Sequence, residues 1–147
     1  MDIKYDVLHQ LNAPTLLEVV EITNFLHQHL GKYRDDKESI QACLEYAFSK
    51  SAGTGGFAVL AKLEGRIVGA TVVNTTGMKG YIPSNTLVYI ATAEDLRGRG
   101  IASTLLNKVQ KICKGGIALH VEPDNPAKHL YEKLGFRHKY LEMRFEN

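Results

Sequence analysis

The sequence predicts a mixed α/β fold in which helices flank a mostly antiparallel central sheet. Apolar residues recur at helical spacing in four segments, and short runs rich in β-branched residues alternate with those segments. The resulting order, β-α-α-β-β-β-α-β-α-β, is typical of a sheet with helices packed on it. The chain has 147 residues with neither an internal repeat nor an obvious linker, so we expect a single domain over residues 1–147.

The first half of the chain predicts a strand, two helices and a hairpin. The strand runs from Lys4 to Leu11, and the first helix ends at Gly31. Its apolar stripe consists of Val19, Ile22, Leu26 and Leu30. The second helix runs from about Asp36 to Ser51. The strands Phe57–Leu63 and Arg66–Thr75 then form a hairpin around the turn residues between them.

The second half predicts three strands and two helices. A strand over Thr86–Thr92 precedes a helix that starts near Gly100 and is amphipathic. A short buried strand follows at Ile117–Val121, then a helix at Pro126–Leu134. The last predicted element is a strand over Phe136–Phe145.

The composition excludes several classes of protein. It is 44% hydrophobic and 23% charged, as in ordinary globular domains, and no apolar run approaches the roughly 20 residues of a membrane helix. The first residues lack the profile of a signal peptide, and Cys43 and Cys113 both fall in helical patterns, where cysteine is usually a small apolar residue. We therefore expect a cytoplasmic protein with neither a disulfide nor a metal site and without a membrane partner.

The charges are distributed unevenly along the chain. Residues 1–96 contain 8 Lys and Arg against 11 Asp and Glu, whereas residues 97–147 contain 10 against 5. A basic second half suits a phosphate-rich ligand, but the positive charges are scattered and form no long run. Nucleic acid is therefore not the expected partner, and a homodimer is left open.

A glycine-rich turn between a strand and an amphipathic helix is the strongest local signal. Gly98 and Gly100 lie where the helix begins, so unpaired backbone N–H groups and the helix dipole favour an anion there. Arg97 and Arg99 add positive charge. The alternative is that the glycines only form a tight turn. A Walker loop is excluded because Gly-Lys-Ser/Thr is missing, and a dinucleotide fingerprint lacks its third glycine, where Ser103 stands.

Two motifs in the last third of the chain resemble those of one enzyme family. The spacing Arg97-x-x-Gly100-x-Ala102 resembles the R/Q-x-x-G-x-G/A signature of the GNAT acetyltransferase superfamily. The segment from Asp124 to Phe136 follows at that family's usual distance and contains Leu-Tyr-Glu-Lys-Leu-Gly-Phe, one of its most recognisable runs. The order of the predicted elements is also similar to that of the family.

The resemblance implies a ligand and a set of site residues. Acetyl-CoA would be the cosubstrate, with its pantetheine arm paired to backbone groups of Ile90, Ala91 and Thr92. Its pyrophosphate would be held by backbone amides of Gly98, Arg99, Gly100, Ile101, Ala102 and Ser103. Tyr131 would protonate the departing thiolate, and a small-molecule or peptide amine would attack the thioester directly. Neither cysteine lies in these motifs, so no nucleophile for an acyl-enzyme is evident.

The pattern departs from the family at one position. Family members usually carry an asparagine seven residues before the tyrosine, where it contacts the pantetheine arm. Here Asn125 lies six residues before Tyr131 and Asp124 lies seven before it. Either a shorter turn lets Asn125 reach the arm, which we favour, or Asp124 replaces it.

The chemistry needs an acid and a base, and each candidate has a structural alternative. A phenol can donate a proton to a leaving thiolate, but Tyr131 also lies on an apolar helical stripe and could be a core tyrosine. His120 and Glu122 alternate to one face of the predicted strand. An imidazole at position 120 titrates in the right range for a base, although a half-buried histidine bonded to backbone is the alternative.

Three functions remain in competition at this point. The favoured one is an acetyl-CoA-dependent N-acetyltransferase. A non-catalytic acyl-CoA-binding module would keep the fold while Tyr131 is only structural. A dinucleotide-binding protein is the third, with Glu122 roughly where an acidic ribose ligand would fall.

Overall fold

The computed structural model describes all 147 residues as a five-stranded mixed sheet flanked by four α-helices. The strands are β1 (Lys4–Leu8), β2 (Gly56–Leu63), β3 (Arg66–Thr75), β4 (Asn85–Thr92) and β5 (Ile117–Leu119). The helices are α1 (Leu16–His29), α2 (Lys37–Phe48), α3 (Ile101–Ile112) and α4 (Ala127–Lys133). The strands lie in sequence order across the sheet, antiparallel except for the parallel pair β4–β5. The predicted fold class is confirmed.

Helices α1 and α2 begin where a side chain satisfies free backbone N–H groups of the helix N-terminus. Thr15 and Glu18 form a capping box at the start of α1, and Gly31 adopts a positive φ of 61° just beyond its end. Asp36 caps α2 by accepting from the Ser39 N–H at 2.7 Å. The sequence predicted α2 to start at Asp36, which is the cap residue itself.

The core lies on both faces of the sheet. Residues 57–61 of β2 and 68–73 of β3 are buried without interruption, because α1 and α2 cover one face and α3 covers the other. Gly69 faces α3, whereas Asn74, five residues along the same strand, donates to the Cys43 sulfur of α2. Central strands covered on both faces are expected to be continuous apolar runs, as they are here.

The hairpin between β2 and β3 is confirmed. Glu64 and Gly65 both have positive φ, 51° and 79°, which is the geometry of a type I′ turn. This turn matches the right-handed twist of the flanking strands and fixes their register.

The predicted final strand, Phe136–Phe145, is wrong. The chain after α4 forms no regular structure, and Tyr140, Leu141, Met143 and Phe145 are 79–90% exposed. Their alternation is that of a strand, but a strand also needs a hydrogen-bonding partner, and β5 offers only three residues. The predicted strand Ile117–Val121 is likewise shorter and ends at Leu119.

No helix is both long enough and apolar enough to cross a membrane.

Candidate functional site

The sheet opens between β4 and β5. These strands pair only from Asn85 to Leu87 on β4, opposite Ile117 to Leu119 on β5. Beyond Leu87, β4 continues for five residues with β3 on one edge and no strand on the other. The open edge therefore carries backbone donors and acceptors that an extended ligand can pair with.

A register shift decides which residues of β4 face that edge. Val72 and Val73 are consecutive in β3 but lie opposite Tyr89 and Leu87, so Val88 is an extra residue in β4. The Ala93 N–H donates to the Val68 carbonyl of β3 at 2.8 Å. Because backbone direction alternates along a strand, Ala91 also faces β3, and the N–H and C=O groups of Ile90 and Thr92 face the open edge. Of the three residues that the sequence assigned to the pantetheine arm, Ile90 and Thr92 thus offer backbone groups there.

The buried hydroxyl of Thr92 is also without a partner. It is one of two buried side-chain polar atoms in the chain that make no hydrogen bond. Such groups are rare in folded proteins because an unpaired buried polar atom costs free energy. This one lies at the last residue of β4, immediately before the glycine-rich turn.

The glycine-rich turn presents a run of unpaired backbone donors. The N–H groups of seven consecutive residues donate to no acceptor in the chain, namely Arg97, Gly98, Arg99, Gly100, Ile101, Ala102 and Ser103. The first hydrogen bond of α3 is made by the Thr104 N–H, to the Gly100 carbonyl at 3.0 Å. Donors arranged in this way at a helix start form an anion-binding concavity.

Two glycines of this turn adopt a positive φ, a backbone conformation that other residues rarely adopt. Gly98 and Gly100 have φ of 81° and 80°, and a Cβ at either position would meet no atom within 4 Å. The space beside both residues is therefore open, so a ligand can approach the backbone closely.

The start of the turn is fastened to the end of α1. The Glu94 N–H donates to Nδ1 of His29 at 3.2 Å, and the Arg97 guanidinium donates to the His29 carbonyl at 3.0 Å. Arg99 makes only a long contact, 3.6 Å, with the Met1 sulfur. Both arginines of the turn are exposed, but only the Arg97 guanidinium is held by a hydrogen bond to α1.

Tyr131 lies in the core with its hydroxyl unpaired. Its residue is 8% exposed, and its ring packs edge-to-face on Phe136 with centroids 6.1 Å apart. The hydroxyl makes no hydrogen bond within the chain, whereas a buried tyrosine hydroxyl usually has a partner. Burial raises the pKa of Tyr131 to about 12, so the phenol keeps its proton at neutral pH.

Asp124 and Asn125 have different partners. The Asp124 carboxylate pairs with Lys32 at 3.1 Å, and its carbonyl accepts from the Tyr33 hydroxyl at 3.3 Å, which ties it to the loop between α1 and α2. Oδ1 of Asn125 accepts from the Ala127 N–H at 3.0 Å at the start of α4. The side-chain Nδ2 donors of Asn125 have no partner within the chain. Asn125 is therefore the residue of the two with free donors.

His120 and Glu122 both lie beyond the end of β5 and are exposed. Their predicted placement on one strand face is wrong, because the strand stops before them. The imidazole makes no hydrogen bond within the chain, so His120 is not the half-buried, backbone-bonded residue of the alternative hypothesis either.

One contact beside the open edge was not foreseen from the sequence. The Tyr89 hydroxyl of β4 donates to the Asp35 carboxylate at 2.6 Å, across 54 positions of sequence. Burial and this carboxylate raise the pKa of Tyr89, so it stays protonated. No local pattern could have indicated the pair, since it depends on how the α1–α2 loop folds over the sheet.

The two thiols and the acidic residues offer no further reactive centre. Both cysteines are free, and burial raises the pKa of Cys43 to about 12 and that of Cys113 to about 11. Thiols with raised pKa values are poor nucleophiles at neutral pH. The chain holds no group of three or more His, Cys, Asp or Glu residues that could bind a metal ion.

One family model matches most of the chain, and solved structures share its fold. The model of the acetyltransferase (GNAT) family matches residues 18–136. Among solved structures, the chain is similar to the aminoglycoside N-acetyltransferase AAC(6')-Iy in complex with CoA, with a TM-score of 0.68 and 16% identity over 100% of this chain and 97% of that one. It is also similar to the ribosomal-protein-alanine N-acetyltransferase of Brucella melitensis biovar Abortus 2308, with a TM-score of 0.67 and 17% identity over the whole of both chains. At these identities the structures show a shared fold.

Proposed function

The chain belongs to the GNAT acetyltransferase family, and on that premise we propose that it transfers an acetyl group from acetyl-CoA to a primary amine of a small molecule or peptide. Family membership supports acyl transfer from an acyl-CoA. The identity of the acyl group, the class of acceptor and the residue roles below are our proposal.

The observation that carries the proposal is the continuity of the open β4 edge with the unpaired amides of the turn. Acetyl-CoA has an extended arm with amide groups and, farther along, a pyrophosphate. The first suits backbone groups of Ile90 and Thr92, and the second suits the amides from Gly98 to Ser103. The residues present therefore fit this substrate in both composition and order along the chain.

The remaining contacts with the substrate come from side chains. The free amide of Asn125 donates to the pantetheine arm, while Asp124 stays with the α1–α2 loop. Arg99, which is exposed beside the turn, adds charge near the phosphates. Arg97 contributes through its backbone N–H, because its guanidinium is engaged with α1.

The reaction is a direct transfer. The neutral amine attacks the thioester carbonyl, the C–N bond forms, the C–S bond breaks and the thiolate takes a proton from Tyr131. A backbone N–H at the open edge of β4 stabilises the negative charge that develops on the carbonyl oxygen, because such donors are fixed beforehand. His120 takes the proton that the amine loses. The raised thiol pKa values of Cys43 and Cys113 agree with a mechanism that forms no acyl-enzyme.

The names of the similar enzymes suggest which classes of acceptor amine to test. The solved relatives include enzymes named for aminoglycosides and for a ribosomal protein's alanine, which are a polyamine-like small molecule and a peptide amine respectively. Both present a primary amine, so both classes belong in the test.

The experiment is thiol release from acetyl-CoA with a panel of amines, comprising an aminoglycoside, a linear polyamine and a peptide with an N-terminal alanine. We expect release above the hydrolysis background with at least one class. CoA binding without turnover on any amine would favour the non-catalytic binding module. A rise in the melting temperature with NAD but not with CoA would favour the dinucleotide-binding alternative and overturn the proposal.

A further inference from the structure

A single residue at the end of α1 holds the start of the glycine-rich turn twice. Nδ1 of His29 accepts from the Glu94 N–H at 3.2 Å, and the His29 carbonyl accepts from the Arg97 guanidinium at 3.0 Å. The imidazole is itself braced by Phe25, with ring centroids 4.6 Å apart. His29 is the last residue of α1, so both contacts connect a packed helix to the turn.

We propose that His29 is a positioning residue for the acyl-CoA phosphates, which fixes the turn so that its free amides are already arranged for an anion. The inference rests on the proposed function of the same turn. His29 lies one contact away from the amides and is not proposed to touch the substrate.

The turn needs such a support. Seven consecutive N–H groups have no partner in the chain, and Gly98 and Gly100 restrict the backbone less than other residues do. A loop that must be ordered on binding weakens affinity by the cost of ordering it, and holding it in the bound conformation removes that cost. The contacts of His29 hold residues 94 and 97, where the run of free amides begins.

The contact with Glu94 depends on the protonation state of the imidazole. Because Nδ1 accepts, the proton of the neutral ring is on Nε2, and a protonated ring has no acceptor. Burial lowers the pKa of His29 below its ordinary value. Arg97 and Arg66 lower it further, whereas Glu94 and Asp95 oppose them. The pocket beside the ring is also lined by Glu21, Asn24 and Gln28 of α1.

The sign of the pH effect follows from this direction. Because the pKa of His29 lies below its ordinary value of 6.5, the neutral ring predominates at and above pH 6.5 and the contact with Glu94 is mostly intact there. As the pH falls through the lowered pKa, the ring is protonated and the contact is lost. CoA binding is therefore expected to weaken on acidification below pH 6.5 and not above it.

Two variants distinguish the role of the hydrogen-bond acceptor at position 29 from the effect of imidazole protonation. His29→Asn places Oδ1 on the same carbon that carries Nδ1, so it keeps an acceptor that does not titrate. His29→Ala removes the acceptor, and we expect the Kd for CoA to rise about 5- to 10-fold, the scale of one ordinary hydrogen bond. In turnover the KM for acetyl-CoA is expected to rise while kcat stays within about 2-fold, because a support of the binding turn acts on binding. His27→Ala is the matched control, since His27 lies on the same helix and contacts no residue of the turn.

In the experiment, each protein is titrated with dephospho-CoA at several pH values between 5 and 8. Calorimetry or thermal shift measures the Kd at each pH. Dephospho-CoA lacks the phosphomonoester of CoA, which itself titrates near pH ~6 and would mimic the effect. We expect the wild type and His27→Ala to lose affinity below pH 6.5, His29→Asn to keep it, and His29→Ala to bind weakly at every pH.

Equal affinity of folded His29→Ala and wild type at pH 7.5, or the same acid limb in His29→Asn, would overturn the inference. If His29→Ala does not fold, the wild-type limb and its loss in His29→Asn still decide the matter. Absence of CoA binding by the wild type at pH 7.5 would instead count against the proposed function, so the two failures are distinguishable.

Discussion

Gly69 in β3 lies directly beneath Ile101, the first residue of α3, and a Cβ on Gly69 would be 2.7 Å from Cγ2 of Ile101. Leu105 Cδ1 would be 3.2 Å from the same Cβ. The absent side chain of Gly69 thus sets how closely the helix start, and with it the free amides, approaches the sheet.

Replacement of this glycine is expected to damage both stability and binding. Gly69→Ala should lower the free energy of unfolding by about 1–3 kcal/mol, the usual cost of overpacking a core, because Ile101 must move. It should also weaken CoA binding by displacing the first turn of α3. Urea denaturation and CoA titration measure the two effects. Adding Ile101→Leu removes Cγ2 and should recover part of both losses. A double variant no better than Gly69→Ala would show that this contact is not the cause.

The second prediction tests the anion site at Gly100. Gly100→Asp should weaken CoA binding by at least about 10-fold, because it places a carboxylate where the pyrophosphate is proposed to bind and adds strain at a φ of 80°. Gly77→Asp is the control, since Gly77 has a φ of 73° and equally open space but lies in the loop between β3 and β4. It should suffer the same strain and bind CoA normally. If both folded variants bind alike, the turn is not the phosphate site.

The third prediction concerns the acid. Tyr131→Phe keeps the ring that packs on Phe136 but removes the unpaired hydroxyl, so kcat should fall roughly 10²–10⁴-fold with little change in CoA affinity. Tyr46→Phe is the contrasting variant, because the Tyr46 hydroxyl lies 2.8 Å from the Thr75 carbonyl and 3.0 Å from the Gly53 carbonyl and donates its single proton within the fold. It should lose stability and keep kcat. Wild-type turnover by Tyr131→Phe would remove the residue from the mechanism.

The sequence predicted well those features that short stretches of chain determine. The end of α1 at Gly31, the start of α2 near Asp36, the Glu64-Gly65 turn and the glycine-rich start of α3 all follow from residues within a few positions of one another. Amphipathic periodicity then identified the buried faces of the helices, because a helix that covers a sheet buries only one of its faces. The prediction of an anion site rests on the same kind of evidence, since a helix start and its glycines are local.

The features that the sequence missed depend on distant parts of the chain. The orientation of Ile90 and Thr92 follows from the extra residue Val88, which is visible only in the pairing of β4 with β3. The hydrogen bonds of Tyr89 with Asp35 and of Glu94 with His29 join residues 54 and 65 positions apart. The predicted final strand was wrong for the opposite reason. Its alternation of side chains is typical of a strand, but no neighbouring strand pairs with it.

The fourth prediction concerns stability at high pH. Burial raises the pKa of Tyr131 to about 12 and that of Cys113 to about 11, whereas the unfolded values lie near ~10 and ~8.5. As the pH rises, the unfolded chain therefore loses these protons at lower pH than the folded chain does. The free energy of unfolding has its maximal contribution from these groups below about pH 8.5 and falls as the pH rises towards 12. Urea midpoints at pH 8 and pH 10.5 should show the decline. Tyr131→Phe should decline less steeply, and an unchanged slope would contradict the assigned burial.

The last prediction is the role of His120 as the base. His120 is exposed just beyond β5 and makes no hydrogen bond within the chain, so its imidazole is free to reach a bound amine or a water. The value of kcat/KM for the amine should then rise with pH through an acid limb that depends on the His120 side chain. His120→Ala should lose that limb and lower kcat/KM for the amine more than it lowers CoA affinity.

Two other groups could produce a similar limb, and the design separates them. The amine must itself lose a proton, so amines of different pKa are compared, and only a limb that stays in place belongs to the protein. Protonation of His29 at acidic pH acts through CoA binding, so measurements at saturating acetyl-CoA suppress its effect. His129→Ala is a matched control, because His129 is an exposed histidine of α4 whose nearest charged partner is Glu132. A limb that moves with the amine and survives in His120→Ala would assign the base to Glu122 or to a water held by backbone.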